Sequence, residues 1–195
     1  MMRIITGRAR GVRLTAPKGE TTRPTSERTK EAVFSMLQFD LCGAHVLDLF
    51  AGSGQMGLEA LSRGAADALL CDASKDAVAV IRSNAEKTRL LEQCRICNMD
   101  SLALLRSLNG KSRFDIVFLD PPYAKGLLPE ALALLVEYDL LEDGARIVCE
   151  SADPKDVFGG NDGLEASFEL LKQSHYGVAY VTVLRFAGCG KGEMV

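Results

Sequence analysis

Between His45 and Ser151 the chain alternates short apolar runs with helical segments, and this rhythm restricts the fold more than any other feature. The runs are "HVLDLFA", "ADALLCD", "CRICNMD", "FDIVFLD" and "ARIVCES". They are largely continuous in apolar character, as strands buried on both faces are. Between them lie "MGLEALSRG", ended by Gly64, and "SKDAVAVIRSNAEKTRLL", started by Ser74 and amphipathic through Val78, Ile81 and Ala85. "SLALLRSL" and "LLPEALALLVEYDLL" follow, the latter with Pro129 suited to a first helical turn. Strands alternating with helices form a parallel sheet covered on both faces, an α/β architecture. The end departs from this rhythm: "EASFELLKQSHYGVAYVTVLRFA" reads as two strands meeting near 175–177, an antiparallel hairpin that closes a seven-stranded, mostly parallel sheet. The linker "SADPKDVFGGNDG" is polar and glycine-rich, which predicts a surface loop.

With 195 residues, 47% of them hydrophobic, the chain can bury one sizeable core and is short for two. A main domain over residues 23–188 is expected, preceded by an extension over 1–22 and followed by a disordered tail over 189–195. In the extension, "RIITGRARGVRLTAP" reads as two β-like pieces around a Gly- and Arg-rich turn, a hairpin that needs something to pack on. "TRPTSERTKEAVFSML" then begins a helix, with Pro24 and Thr25 or Ser26 at its start and Val33, Phe34 and Leu37 at helical spacing. Residues 1–30 hold eight basic side chains against two acids, a local charge of +6 on a chain whose net charge is −3. That asymmetry fits one polyanion-facing patch on an acidic body, or a solvated basic tail.

No apolar run approaches the ~20 residues of a membrane helix, and "MMRIITGRARG" lacks the apolar stretch of a signal peptide. A cytoplasmic protein with no membrane partner is expected. Of six cysteines, Cys94 and Cys97 form a C-x-x-C. A zinc site needs a second ligand pair, and His45 and His175 are not paired in sequence, so these read as buried thiols and no metal is expected.

In open α/β sheets, ligands bind at the carboxyl ends of the strands. Four consecutive strand ends carry acids here: Asp48 before "FAGSGQMG", Asp72, Asp100, and Asp120 in "DPPY". Gly52, Gly54 and Gly57 make a G-x-G-x-x-G, and Asp72 stands at the distance of a ribose-binding acid. That spacing also fits NAD. Pyrophosphate at a helix N-terminus disfavours a nearby carboxylate, so Asp48 favours a cationic cofactor without phosphates, such as S-adenosylmethionine. In "DPPY", a carboxylate and a rigid backbone carbonyl can accept the two N–H bonds of an amine and aim its nitrogen, while Tyr123 offers a face on which a base stacks. The residues alone leave open a methyltransferase for nucleobase amines or protein glutamine, an NAD-dependent oxidoreductase suggested only by the glycines, and an RNA-binding assembly protein with a vestigial pocket.

"RIITGRARGVRL", "TRPTSERTKEAVFSML", "VLDLFAGSGQMGLEALSRGA" and "FLDPPY", in this order, resemble the bacterial RsmD family. That family methylates N2 of a guanine in 16S ribosomal RNA with S-adenosylmethionine. The resemblance implies a Rossmann-like class I methyltransferase sheet preceded by a substrate-recognition hairpin, acting as a monomer on a small ribosomal subunit or an assembly intermediate. It places Asp48, Gly52 and Gly54 at the methionine part of the cofactor, Asp72 at its ribose and Asp100 at its adenine, with Phe50, Ala51 and Ser101 completing the set. Asp120, Pro121, Pro122 and Tyr123 would hold the guanine. Arg3, Arg8, Arg10, Arg13, Arg23, Thr25 and Arg28 would meet the RNA. Two departures stand out: Asp72 is followed by Ala73 and Ser74 rather than a second acid, and "FAGCGKGEMV" has no counterpart.

Overall fold

The structure is a computed structural model that describes residues 2–17, 27–122 and 126–188. The main elements run α1 (Glu27–Met36), β1 (His45–Asp48), α2 (Gln55–Ser62), β2 (Asp67–Asp72), α3 (Lys75–Thr88), β3 (Cys94–Asn98) and α4 (Ser101–Leu108). They continue through β4 (Phe114–Leu119), α5 (Leu127–Glu137), β5 (Leu141–Ser151), α6 (Asp162–Glu165), β6 (Phe168–Tyr176) and β7 (Ala179–Phe186). One sheet holds the seven strands in the order β3-β2-β1-β4-β5-β7-β6. The pairings among β1 to β5 are parallel, and β7 runs antiparallel to both its neighbours.

Local chemistry accounts for the helix starts. The Ser74 side chain accepts from the Ala77 amide at the start of α3, and the Asp100 side chain accepts from the Ala103 amide at the start of α4. Along each strand successive side chains enter opposite faces. Thus Leu47, Val117 and Ile147 join one core with Leu105, Leu132 and Leu135 of α4 and α5. Val46, Ile116 and Val148 join a second core with Phe34, Leu58 and Ile81 of α1, α2 and α3.

The N-terminal segment is a smaller hairpin than its sequence suggests. Arg3 pairs opposite Arg13 as a single antiparallel bridge, supported by backbone bonds from Ile4 to Val12, Gly11 to Ile4 and Leu14 to Met2. Its stability comes from packing: Ile4, Ala9 and Leu14 are buried in the second core. Two further differences appear. β5 begins at Leu141 rather than Ala145, with a register irregularity opposite Phe114 and Ile116. The linker after it contains a 3₁₀ turn (Pro154–Asp156) and α6, because Val157 and Leu164 find places in the core. The Pro24 to Ser26 helix start and the tail over 189–195 lie outside the described residues.

Candidate active site

β1 has β2 on one side and β4 on the other, so the chain's progression across the sheet reverses between β1 and β4. Ligand crevices form at such a point. Asp48 is the last residue of β1, level with Phe118, and Asp120 follows two residues later. The two acids predicted from strand ends therefore come together at the switch point.

Asp48 is 4% exposed, and its Oδ2 accepts from the Gly57 amide at 3.0 Å. Burial pushes its carboxyl up to about 7, against the opposing effect of that amide and with the Asp72 charge adding to the rise. Gly57 has to be small: a Cβ there would lie 2.8 Å from Leu70 Cδ2 and 3.4 Å from Asp48 Oδ2. The turn between Asp48 and α2 passes through Gly52 (φ 54°) and Gly54 (φ 75°), both left-handed, which glycine adopts without strain.

Asp72 closes this turn from the next strand. Its Oδ2 accepts from the Gly52 amide at 2.9 Å and its Oδ1 from the Ser74 amide at 2.8 Å. A carboxylate has about four lone-pair sites, so acceptor capacity is left for hydroxyl groups. Ala51 is buried and donates its amide to the Cys71 carbonyl, while Phe50 is half-buried. Asp100 is exposed and its Oδ1 caps α4; Ser101 beneath it is buried.

Asp120 is exposed at the end of β4, with protein packed around its carboxyl group. That enclosure, the Glu150 charge and then the Asp48 charge hold its pKa well above the ordinary carboxylate range. Pro121 is buried and Pro122 exposed, and Tyr123 lies outside the described residues. Beside the prolines is a pocket of about 120 Å³ whose wall includes Pro121, Pro122, Leu127, Pro129, Glu150 and Ser151. The buried Ser151 hydroxyl has no hydrogen-bond partner among the described residues.

The basic N-terminus divides into two groups. Arg8, Arg10, Arg13 and Arg28 are exposed. Arg3 pairs with Glu27 at 3.1 Å, and Arg23 and Thr25 lie outside the described residues. Lys30, counted in the basic patch from sequence, is instead 1% exposed and paired with the fully buried Glu59 at 3.3 Å, so it adds nothing to the surface charge. Glu59 also accepts from the Ile5 and Thr6 amides and from Arg63, which ties the hairpin to α2. Cys71 and Cys149 are buried, Cys94 and Cys97 partly so, and among the described residues no group of three or more His, Cys, Asp or Glu is placed to hold a metal ion. No helix among those residues is long and apolar enough to cross a membrane.

Sequence reading missed Glu150, Ser151, Glu59 and Asn84. The first two were accessible: the strand-end rule, extended to a fifth strand, reaches "ES" after "ARIVC".

A seven-stranded sheet in this order, with a glycine turn after its first strand and Asp-Pro-Pro at the neighbouring strand end, defines a Rossmann-like class I methyltransferase fold. The solved structure of yhhF from Escherichia coli matches it with a TM-score of 0.84 and 32% identity, covering 96% of this chain and 99% of that one. The family model described as Conserved hypothetical protein 95 matches residues 2–185. Ribosomal RNA small subunit methyltransferase D of Escherichia coli (strain K12) is 36% identical over 180 residues, 92% of this chain and 87% of that relative. The protein of the same name from Haemophilus influenzae is 34% identical over 178 residues, 91% of this chain and 90% of the relative. The chain belongs to this family, the RsmD family of methyltransferases.

Proposed function

We propose that this chain transfers a methyl group from S-adenosylmethionine to the exocyclic N2 amine of a guanine in 16S ribosomal RNA. The observation that carries the reading is the placement of Asp48 and Asp120 at the ends of adjacent parallel strands, one beside the glycine turn and the other beside the pocket at the prolines. When bound, S-adenosylmethionine supplies an electrophilic methyl group on a sulfonium. The residues fit such a molecule. The left-handed glycines keep the turn low, Asp48 offers negative charge without crowding a phosphate, and Asp72 has acceptor capacity for ribose hydroxyls. Asp100 and Ser101 at the start of α4 border the adenine end, and Phe50 and Ala51 complete the floor.

A guanine amine is a weak nucleophile because its lone pair is delocalised into the ring. In this reading Asp120 accepts one of its N–H bonds and a proline carbonyl the other, which fixes the nitrogen's direction. Desolvation by the protein around it, and then the charges of Glu150 and Asp48, make Asp120 a stronger base than a free carboxylate, suited to taking the proton that the nitrogen sheds. The apolar pocket receives the base, and the Ser151 hydroxyl, without a partner among the described residues, is a polar group that an incoming base edge can satisfy. Arg8, Arg10, Arg13 and Arg28 engage phosphates, and Arg3, Arg23 and Thr25 contribute further RNA contacts. The substrate is a small subunit or an assembly intermediate in the cytoplasm, met by a single copy of this chain.

The test is incubation with labelled methyl donor and unmethylated small subunits, free 16S ribosomal RNA or DNA, followed by nucleoside mass spectrometry. N2-methylguanosine from the ribosomal substrates alone is expected. Label on N6 of adenine, or in DNA, overturns the reading.

A further inference from the structure

The N-terminal segment touches the cofactor turn directly, through one buried side chain of α3. Asn84 is 0% exposed. Its Oδ1 accepts from the Thr15 amide at 2.9 Å, and its Nδ2 donates to the Thr15 carbonyl at 2.9 Å and to the Ser53 carbonyl at 2.9 Å. Both of its amide hydrogens are thus used. Thr15 follows the second limb of the hairpin, and Ser53 stands between Gly52 and Gly54 of the turn. A second contact joins the same two parts, since the Ser53 hydroxyl donates to Met2 Sδ at 3.2 Å. Further along α2, Glu59 accepts from the Ile5 and Thr6 amides and Ser62 Oγ from the Ala9 amide, so the hairpin is fastened both to the turn and to the helix that follows it.

We infer that Asn84 is a positioning residue that couples occupancy of the glycine turn to RNA binding by the hairpin. The inference rests on the function proposed above. The physical basis is that one side chain bonds backbone groups of both parts, the Ser53 carbonyl in the turn and the amide and carbonyl of Thr15, which makes their conformations interdependent. A ligand that orders 52–54 then lowers the cost of ordering 2–15, and RNA held by the hairpin returns the same factor to the ligand. Asn suits the role better than a shorter or charged side chain. It supplies one acceptor and two donors at a site with one N–H and two carbonyls, and a carboxylate would face both carbonyls without a donor.

The test measures the affinity of unmethylated 16S ribosomal RNA with and without saturating S-adenosylhomocysteine, and of S-adenosylhomocysteine with and without the RNA. In the native protein each ligand is expected to strengthen the other by about fivefold or more. In Asn84→Ala, shown to be folded by its thermal transition, the two factors fall to one while each ligand still binds alone. Hydrogen exchange on the unaltered protein gives a second readout without a substitution: S-adenosylhomocysteine should slow exchange in peptides from 2–15 in the absence of RNA. Equal affinities in the native protein, unchanged exchange in 2–15, or full coupling retained in Asn84→Ala each overturn the inference. If both ligands bind without coupling, only this inference falls; if either fails to bind the native protein at all, the proposed function falls with it.

Discussion

The Gly57 amide donates to Asp48 Oδ2 at 3.0 Å, which ties the first turn of α2 to the carboxylate that ends β1. One N–H does not compensate for complete burial, and the Asp48 carboxyl titrates near 7 rather than 3.8. The native state therefore holds a proton between about pH 4 and 7 that the unfolded chain has released, and stability is lost as pH rises through that window. Asp48→Asn removes the titration. Its melting temperature relative to the native protein should rise between pH 5 and pH 8, by an amount equivalent to ~2–4 kcal/mol. Thermal unfolding at the two pH values checks this, and a constant difference would count against it.

The same titration bears on binding. Cofactor affinity should strengthen from pH 6 to pH 8 as Asp48 ionises, by about tenfold, the range over which one partnered carboxylate changes charge. Asp48→Asn should bind more weakly and without that pH dependence. Calorimetry with S-adenosylmethionine at several pH values reads both quantities.

What could be read from the sequence and what could not separates along physical lines. Apolar runs ending in acids located Asp48, Asp72, Asp100 and Asp120, because burial on both faces and the strand-end rule are local signals. Ser74 was legible for the same reason: a cap acts three residues away. Asn84 and Glu59 were not. Each is one polar residue among several in its helix, where periodicity distinguishes face from face but cannot say which distant backbone group waits there. Their partners, Thr15 and Ile5, are 69 and 54 residues away. Lys30 was misplaced by the converse error, since a lysine in a basic stretch counts as surface charge until a buried glutamate from another helix is seen beside it.

Asp120 separates chemistry from cofactor binding. Asp120→Ala should lower the methyl-transfer rate by at least about 100-fold, the lower range for loss of a positioned proton acceptor. Affinity for S-adenosylhomocysteine should stay within about twofold, because the glycine turn and Asp72 are untouched. Labelled-methyl turnover and calorimetry on one preparation measure the two effects, and equal losses in both would show that Asp120 belongs to the cofactor site.

Gly7 holds the hairpin against the end of α2. Its φ is 88°, and a Cβ there would stand 1.8 Å from the Ser62 carbonyl oxygen, which accepts from the Arg8 amide at 2.9 Å. Backbone must move to admit any side chain. Gly7→Ala should cost about 1–3 kcal/mol and weaken RNA binding by about tenfold, since Arg8 and Arg10 shift with the turn. Urea denaturation and filter binding of 16S ribosomal RNA would show this; native RNA affinity in the variant would remove the hairpin from the recognition surface.

The buried Lys30–Glu59 pair gives a prediction with a definite pH sign. Burial lowers the Lys30 pKa, and the Glu59 charge opposes that fall. Glu59→Gln leaves an ammonium in the core with no countercharge in contact, its partners reduced to neutral oxygens such as the Arg3 carbonyl at 2.6 Å, and loss of one member of a buried pair typically costs about 3–5 kcal/mol. The variant's Lys30 should then titrate lower still, so that the unfolded chain binds more protons than the native state across the alkaline range below 10.5. Stability of Glu59→Gln should consequently rise from pH 7 to pH 9.5 relative to the native protein. The double variant Lys30→Met, Glu59→Gln strands no ammonium, and only the largely buried Arg63 loses its carboxylate partner. It should recover part of the loss at pH 7 and show no such alkaline gain. Urea denaturation of the three proteins at the two pH values decides the matter, and a pH-independent loss in Glu59→Gln would mean that the backbone bonds to Ile5 and Thr6, rather than the charge on Lys30, dominate the energetics of this junction.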